Sequence, residues 1–239
     1  PKNLEEYSTY VEPFVGGGAV LFHLLEQYDF EEIHICDINP ELTLCYEMLK
    51  ESSSKVWTQL DSMIGEYPPY DSDERKKYYY STRDAWNNGV LKLKSMSKND
   101  KIHRVAQTIF LNKTCFNGLF RVNSKGEFNV PMGNYKNPSF PSEGDLLGVQ
   151  SALKKVTIHL GSFETSKDFI DESTFIYLDP PYRPLSKTSH FVSYSKGTFD
   201  DDDQRRLATF VHELHNIGAK FILSNSDPKN PMSDDEFFD

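Results

Sequence analysis

The stretch from residue 9 to residue 28 constrains the architecture most. Thr9-Tyr10-Val11-Glu12-Pro13-Phe14 has the composition of a strand and Val15-Gly16-Gly17-Gly18-Ala19 is a glycine turn. Val20, Leu21, Leu24, Leu25 and Tyr28 then recur on one face of a helix. A second strand, Glu32-Ile33-His34-Ile35-Cys36, ends at Asp37, and Asn39-Pro40-Glu41 supplies a cap and first turn for the next helix. Strand, helix, strand, helix over residues 9–66 begins a doubly wound α/β sheet, to which 155–159, 174–178 and 219–224 add short apolar strands. Between these halves Tyr67-Pro68-Pro69-Tyr70-Asp71-Ser72 breaks the pattern. Residues 74–88 and 99–115 read as helices, and 116–141 is rich in Gly, Asn and Pro. An inserted, mainly helical domain is therefore expected over 67–141, with 1–66 and 142–239 forming the sheet domain. From Thr198 to Gly218, Leu207, Phe210, Val211 and Leu214 take helical spacing. Asp200 to Asp203 before them suit the positive N-terminal end of a helix better than a metal.

The glycine turn narrows the ligand. A dinucleotide fingerprint needs G-x-G-x-x-G at this junction and a Walker loop needs a terminal Gly-Lys-Ser/Thr; neither is present, which disfavours a phosphate chain. Asp37 lies about 20 residues beyond the turn, where nucleotide-binding α/β folds place an acid against ribose hydroxyls. A plain capping or loop acid is the alternative for this residue. Together these features describe a pocket for a nucleoside with a positively charged, phosphate-free tail, a description that S-adenosylmethionine fits.

At the other end of the chain the apolar run Phe175-Ile176-Tyr177-Leu178 leads into Asp179-Pro180-Pro181-Tyr182. Two successive prolines hold φ near −65° and remove two N–H donors, which leaves the Asp179 carboxylate and the Pro180 carbonyl as fixed acceptors without a local donor. An amino group with two hydrogens would satisfy both. The plainer reading is a strand closed by two turn-forming prolines.

The formal net charge of −10 over 239 residues argues by itself against a polyanionic partner. Its distribution argues the other way. Residues 75–136 hold 13 Lys or Arg and three acids, a net of +10, so the remainder carries −20. That is the footprint of a nucleic-acid-facing module beside an acidic core; solvated helix faces are the alternative. Cys36, Cys45 and Cys115 lie far apart without C-x-x-C spacing, so no disulfide framework or zinc site is indicated and a reducing compartment is the default. His212 and His215 read as a solvated helix face and not a metal site. No run approaches the roughly 20 apolar residues of a membrane span and the start does not resemble a secretory signal. A soluble, cytoplasmic protein is expected.

Three blocks carry a resemblance. They are Glu12-Pro13-Phe14-Val15-Gly16-Gly17-Gly18, the run from Asn112 through Cys115-Phe116-Asn117-Gly118-Leu119-Phe120-Arg121 to Pro131, and Tyr177-Leu178-Asp179-Pro180-Pro181-Tyr182. In content and order they resemble the Dam-type (D12 class) DNA adenine-N6 methyltransferases. The resemblance implies a Rossmann-like sheet with an inserted target-recognition domain. It also implies S-adenosylmethionine as methyl donor and double-stranded DNA as partner, with no obligate protein partner, no membrane and association with the nucleoid. By it, Asp179, Pro180, Pro181 and Tyr182 are catalytic: the first two grip an amine and Tyr182 stacks on an extruded base. Glu12, Pro13, Phe14, Gly16, Gly18, Asp37, Ile38, Ser162, Phe163 and Asp179 would bind cofactor. Arg121 would fork onto a guanine edge, and Leu119 and Pro131 would touch apolar base edges. Phe116 and Asn117 would fill space near the displaced base, Asn123 would contact DNA, and Lys113, Tyr135 and Lys136 would hold phosphates. Family members sharing this block tend to act at GATC.

The chain departs from the family in four respects. The family has a segment before Pro1 and further strands beyond Asp239, so weak cofactor binding is expected of these 239 residues alone. Asn134 stands where a basic residue is common, and Phe116 where a tyrosine is common. A methyltransferase for an RNA base or protein amide, a non-catalytic DNA-binding module and, more remotely, an NAD-dependent oxidoreductase are the other readings.

Overall fold

The structure, a computed structural model, describes residues 3–70, 72–182 and 199–226. Five strands, β1 (Thr9–Glu12), β2 (Glu32–Asp37), β3 (Val156–Leu160), β4 (Thr174–Leu178) and β5 (Lys220–Leu223), form one sheet in the order β3-β2-β1-β4-β5. Every pairing is parallel, with Tyr10 opposite both Ile33 and Phe175. Like β2, β1 and β4 are flanked by strands on both sides. Their residues are almost all buried because helices cover both faces of a parallel sheet. Alternation along the strand separates the two cores. Val11, Ile176 and Leu178 meet Leu207, Phe210 and Leu214 of α6 (Asp201–Ile217). Tyr10 faces the other way, stacking on Phe30 and Phe175 with ring centroids 5.4 and 6.0 Å apart. On that side α1 (Ala19–Gln27) buries Leu21 and Leu24, and its Val20 and Leu24 border the same groove as Phe175 and Tyr177. The fold is therefore a doubly wound, Rossmann-like α/β sheet.

The strand order reverses at β1. β2 and β3 lie to one side of it and β4 and β5 to the other, so the carboxyl ends of β1 and β4 are the point where crossovers part and a ligand crevice opens. β1 stops at Glu12, two residues short of the stretch read as strand, because Pro13 has no ladder donor. α6 begins as its sequence implied. The Asp200 carboxylate accepts from the amides of Asp202 and Asp203, while Asp203 accepts from the Asp200 amide. Thr198 lies outside the described residues.

Contacts divide the chain into two compact units, one spanning Leu44–Lys154 and the other built from residues up to Thr43 and from Lys155 onward. The first is wider than 67–141, since α2 (Pro40–Glu66) and α5 (Glu143–Ala152) pack within it. Leu44, Met48, Val56, Leu60 and Met63 of α2 pack on Ile102, Val105, Ala106 and Phe110 of α4 (Lys98–Thr114) and on Leu146. α2 bends at Ser52 (φ −151°, ψ 33°), and the next residue, Ser53, donates to the Leu49 and Leu146 carbonyls at 2.6 and 2.9 Å. A second core joins Tyr79 and Trp86 of α3 (Asp73–Asn87) to Leu111, Cys115, Phe128 and Val130.

Part of the basic footprint of residues 75–136 turns inward, so not all of its cations are available to a polyanion. Arg75 is buried with its guanidinium 4.3 Å above the Tyr67 ring. Arg104 is buried 4.1 Å above the Trp86 ring and donates to the Trp86 carbonyl at 2.7 Å. Arg104 thereby holds α4 to α3 through a ring face and a helix-terminal carbonyl, while Arg75 ties the first turn of α3 to Tyr67 just past α2 and donates to the Lys136 carbonyl at 3.4 Å. Arg104→Met is expected to destabilise the protein by about 2–3 kcal/mol, lowering the thermal midpoint by several degrees. Lys113→Met, at an exposed position, should stay within about 0.5 kcal/mol; calorimetry of the two variants checks the contrast.

Candidate active site

The residue that ends β1 is the most unusual group in the molecule. Glu12 is 2 % exposed, and its carboxylate accepts from the Tyr10 hydroxyl two positions back on the same face at 2.6 Å. It also accepts from the Leu21 amide in the first turn of α1, a helix whose N-cap, Gly18, has no side chain to serve that turn. Burial, the largest cause, pushes the Glu12 carboxyl up to about 8; the Tyr10 bond opposes the rise and the negative charge of Asp179 adds to it. That electrostatic coupling places Glu12 and Asp179 in one neighbourhood, as expected of the adjoining ends of β1 and β4.

The glycine turn is tied to the end of β2. Gly16 takes a left-handed φ of 48° and its amide donates to the Asp37 carboxylate at 3.1 Å, while the Asn39 amide donates to the other oxygen at 2.8 Å. Burial raises the Asp37 pKa and these two amides pull it back. Asp37 thus braces the turn, and its remaining lone pairs are what a ribose hydroxyl could use. No atom lies within 4 Å of where a Cβ on Gly16 or Gly17 would stand, so this edge of the turn is open. Ile38, next to Asp37, is 62 % exposed and presents a bare apolar face at the carboxyl end of β2.

Beyond β3, Gly161 donates to the Asp37 carbonyl at 3.1 Å and brings Ser162 and Phe163 to the same sheet edge. Phe163 itself is buried, stacked 5.4 Å from Phe14 and packed on Phe210; Pro13 and Gly18 are buried as well. Ser162 donates to Glu164, whose two oxygens take Arg206 of α6 at 3.0 and 2.9 Å. At the end of β4, Asp179 and Tyr182 are exposed and Pro180 is buried. Among the described residues, none donates to the Asp179 carboxylate or the Pro180 carbonyl. The Tyr182 hydroxyl is 2.7 Å from the Ser224 hydroxyl, and Gln204 donates to the Pro181 carbonyl at 3.2 Å. The residues expected to bind a nucleoside and the Asp-Pro-Pro-Tyr turn accordingly share the carboxyl edge of the sheet. Tyr10, Gln204, Ser224 and Arg206 belong to the same edge without having been singled out in the sequence. Gln204 left one trace there, as a polar residue on the apolar stripe that continues through Leu207 and Leu214.

The residues expected to touch DNA lie in the other unit, Lys113 in the last turn of α4 and the rest on a loop pinned to its end. Cys115 bridges Met132, Val122 bridges Phe128, and the Phe116 amide donates to the Pro131 carbonyl at 2.9 Å. Asn117 (φ 54°) and Gly118 (φ 61°) turn the chain left-handed and Phe116 is left 52 % exposed. Lys113, Asn117, Pro131, Tyr135 and Lys136 are exposed; Leu119, Arg121 and Asn123 are partly so. Arg121 donates from Nε to the Asn129 side chain at 2.8 Å, which orients its guanidinium on the loop. Asn123 spends its side chain on the turn itself, accepting from Lys125 and Glu127 amides and donating to the Glu127 carboxylate at 2.7 Å.

No group of three or more His, Cys, Asp or Glu side chains that could hold a metal occurs among the described residues, and no helix there is long and apolar enough to cross a membrane. Among known proteins, the chain is 50% identical over 228 residues to the type II methyltransferase M.MjaIII of Methanocaldococcus jannaschii, covering 95% of this chain and 77% of that one. It is 33% identical over 227 residues to the DNA N-6-adenine-methyltransferase of Escherichia phage P1, covering 95% of this chain and 28% of the phage protein. With the DNA adenine methylase of Vibrio cholerae it shares 34% identity over 229 residues, 95% of this chain and 75% of that protein. Over residues 1–239 it matches one family model throughout, and the chain belongs to the D12 class N6 adenine-specific DNA methyltransferases.

Proposed function

We propose that the protein transfers a methyl group from S-adenosylmethionine to the N6 amine of an adenine extruded from double-stranded DNA, at GATC. The observation that carries this reading is an acceptor pair, Asp179 and the Pro180 carbonyl, without a donor among the described residues, beside an open glycine turn at the strand-order reversal. The residues suit the cofactor. Ile38 offers a purine face, Asp37 keeps lone pairs for a ribose, and Glu12 offers a buried carboxylate to an ammonium group. When bound, the cofactor supplies a methyl group on a positively charged sulfur.

The chain's own groups prepare the nucleophile. Adenine's exocyclic lone pair is delocalised into the ring. Two acceptors that take both N–H bonds draw the nitrogen towards tetrahedral geometry and stabilise the positive charge that develops on it. Tyr182 presents a half-exposed ring for the extruded base to stack on. No covalent intermediate with the protein is required. Recognition is assigned to residues 67–141, where Arg121 reads guanine and Lys113, Tyr135 and Lys136 take phosphates; GATC follows from the resemblance of the Asn112–Pro131 block to members acting there.

Labelled methyl transfer to duplexes that contain or lack GATC tests the reading, and equal labelling of both would refute the site. Asp179→Ala should lower the rate at least ~1,000-fold with DNA affinity largely kept. Arg121→Ala should erode discrimination between GATC and altered sites by about 1–3 kcal/mol. The raised pKa of Glu12 gives a sign for the pH dependence of cofactor binding. Below about 8 the carboxyl is largely protonated and must lose its proton to meet a cation. Affinity should therefore strengthen as pH rises from about 6 to 7.5, by at most roughly tenfold per unit. Glu12→Gln should flatten that slope, and calorimetric titration across the range checks it.

A further inference from the structure

The Asp-Pro-Pro-Tyr turn cannot hold itself, because Pro180 and Pro181 offer no N–H to any neighbour. It is held from outside, at Leu178, Pro181 and Tyr182. The Leu178 carbonyl accepts from the Ser224 amide at 2.8 Å and the Pro181 carbonyl accepts from Gln204 Nε2 at 3.2 Å. The Tyr182 hydroxyl meets the Ser224 hydroxyl at 2.7 Å. Of the two carbonyls between the fixed ones, neither that of Asp179 nor that of Pro180 has a donor among the described residues. Gln204 is 4 % exposed and its amide is used at both ends, since Oε1 accepts from Asn225 Nδ2 at 3.3 Å. Its helix is fixed in turn by the Asp200–Asp203 capping box one turn earlier.

We propose that Gln204 is a positioning residue for methyl transfer: with Asn225 and Ser224 it forms a clasp that sets the angle of the Pro180 carbonyl and the Asp179 carboxylate towards the amine. This inference rests on the methyl-transfer reading above. The physical argument is that an acceptor pair preorganised for a developing charge must not rotate when charge appears. A turn without donors of its own keeps its orientation only through donors supplied by other elements. Gln204 touches neither substrate nor cofactor in this account, so its loss should appear in turnover and not in binding.

Two variants test it in the full chain, each beside wild type and Asp179→Ala. Gln204→Leu keeps the volume and removes the donor. Its kcat should fall about 10- to 100-fold while dissociation constants for duplex and for S-adenosylhomocysteine stay within about threefold. Gln204→Glu has a donor only when protonated, so the ratio of its rate to that of wild type should rise at least about fivefold as pH falls from 8 to 6. The other ionisable groups around it, Asp179 and Tyr182 on the turn, Tyr177 on β4 and Asp200, Asp201 and Asp203 at the head of α6, are common to both proteins and cancel in that ratio. A Gln204→Leu rate within about threefold of wild type, or a flat ratio for a Gln204→Glu protein with wild-type melting, overturns the clasp. If Gln204→Leu does not fold, the ratio for Gln204→Glu decides alone. Absence of transfer by wild type sinks the methyl-transfer reading instead, so the two failures are told apart.

Discussion

The rest of the site depends on two adjacent prolines at the end of a buried strand. By deleting two donors they free acceptors that any other turn would have spent on itself, and they pass the task of holding the turn to helix α6 and the residues after β5. The sheet makes this possible. Because β1 and β4 are parallel neighbours at the reversal of strand order, one edge gathers the glycine turn, Glu12, Asp37 and Asp179.

Within that edge the charges are arranged by burial more than by pairing. Glu12 is held among Tyr10, α1 and the sheet with its pKa pushed up to about 8 and the negative charge of Asp179 nearby. A site with two carboxyls in one neighbourhood is poorly suited to anions and well suited to a cationic ligand and a base that becomes cationic during reaction. The Leu44–Lys154 unit uses cations differently. From inside, Arg104 joins α4 to α3 and Arg75 joins α3 to Tyr67, and Lys113 and Lys136 remain at the surface.

Much of this could be read from residues and spacing. All five strands fall within two residues of their predicted bounds, and α3, α4 and α6 follow their apolar periodicity. The two acceptors at 179 and 180 were identifiable because proline chemistry is local. What escaped was set by distant partners. Gln204, Ser224 and Asn225 act on residues between 21 and 46 positions away in sequence, and nothing near them names that contact. α5 has a single buried residue, Leu146, too little for an apolar stripe to show. The bend at Ser52 follows from tertiary packing through Ser53. Charge sign also carries no information on burial, so in the sequence Arg104 counts towards the basic footprint although it lies buried over Trp86.

If Asp179 and the Pro180 carbonyl grip both hydrogens of an exocyclic amine, exhaustive methylation stops after one methyl group. Nucleoside analysis of a duplex containing GATC, incubated to completion with excess S-adenosylmethionine, should show N6-monomethyladenine only, because the product amine keeps one hydrogen and can no longer fill both acceptors. Accumulation of N6,N6-dimethyladenine, or methylation on a ring nitrogen, would contradict the two-acceptor account.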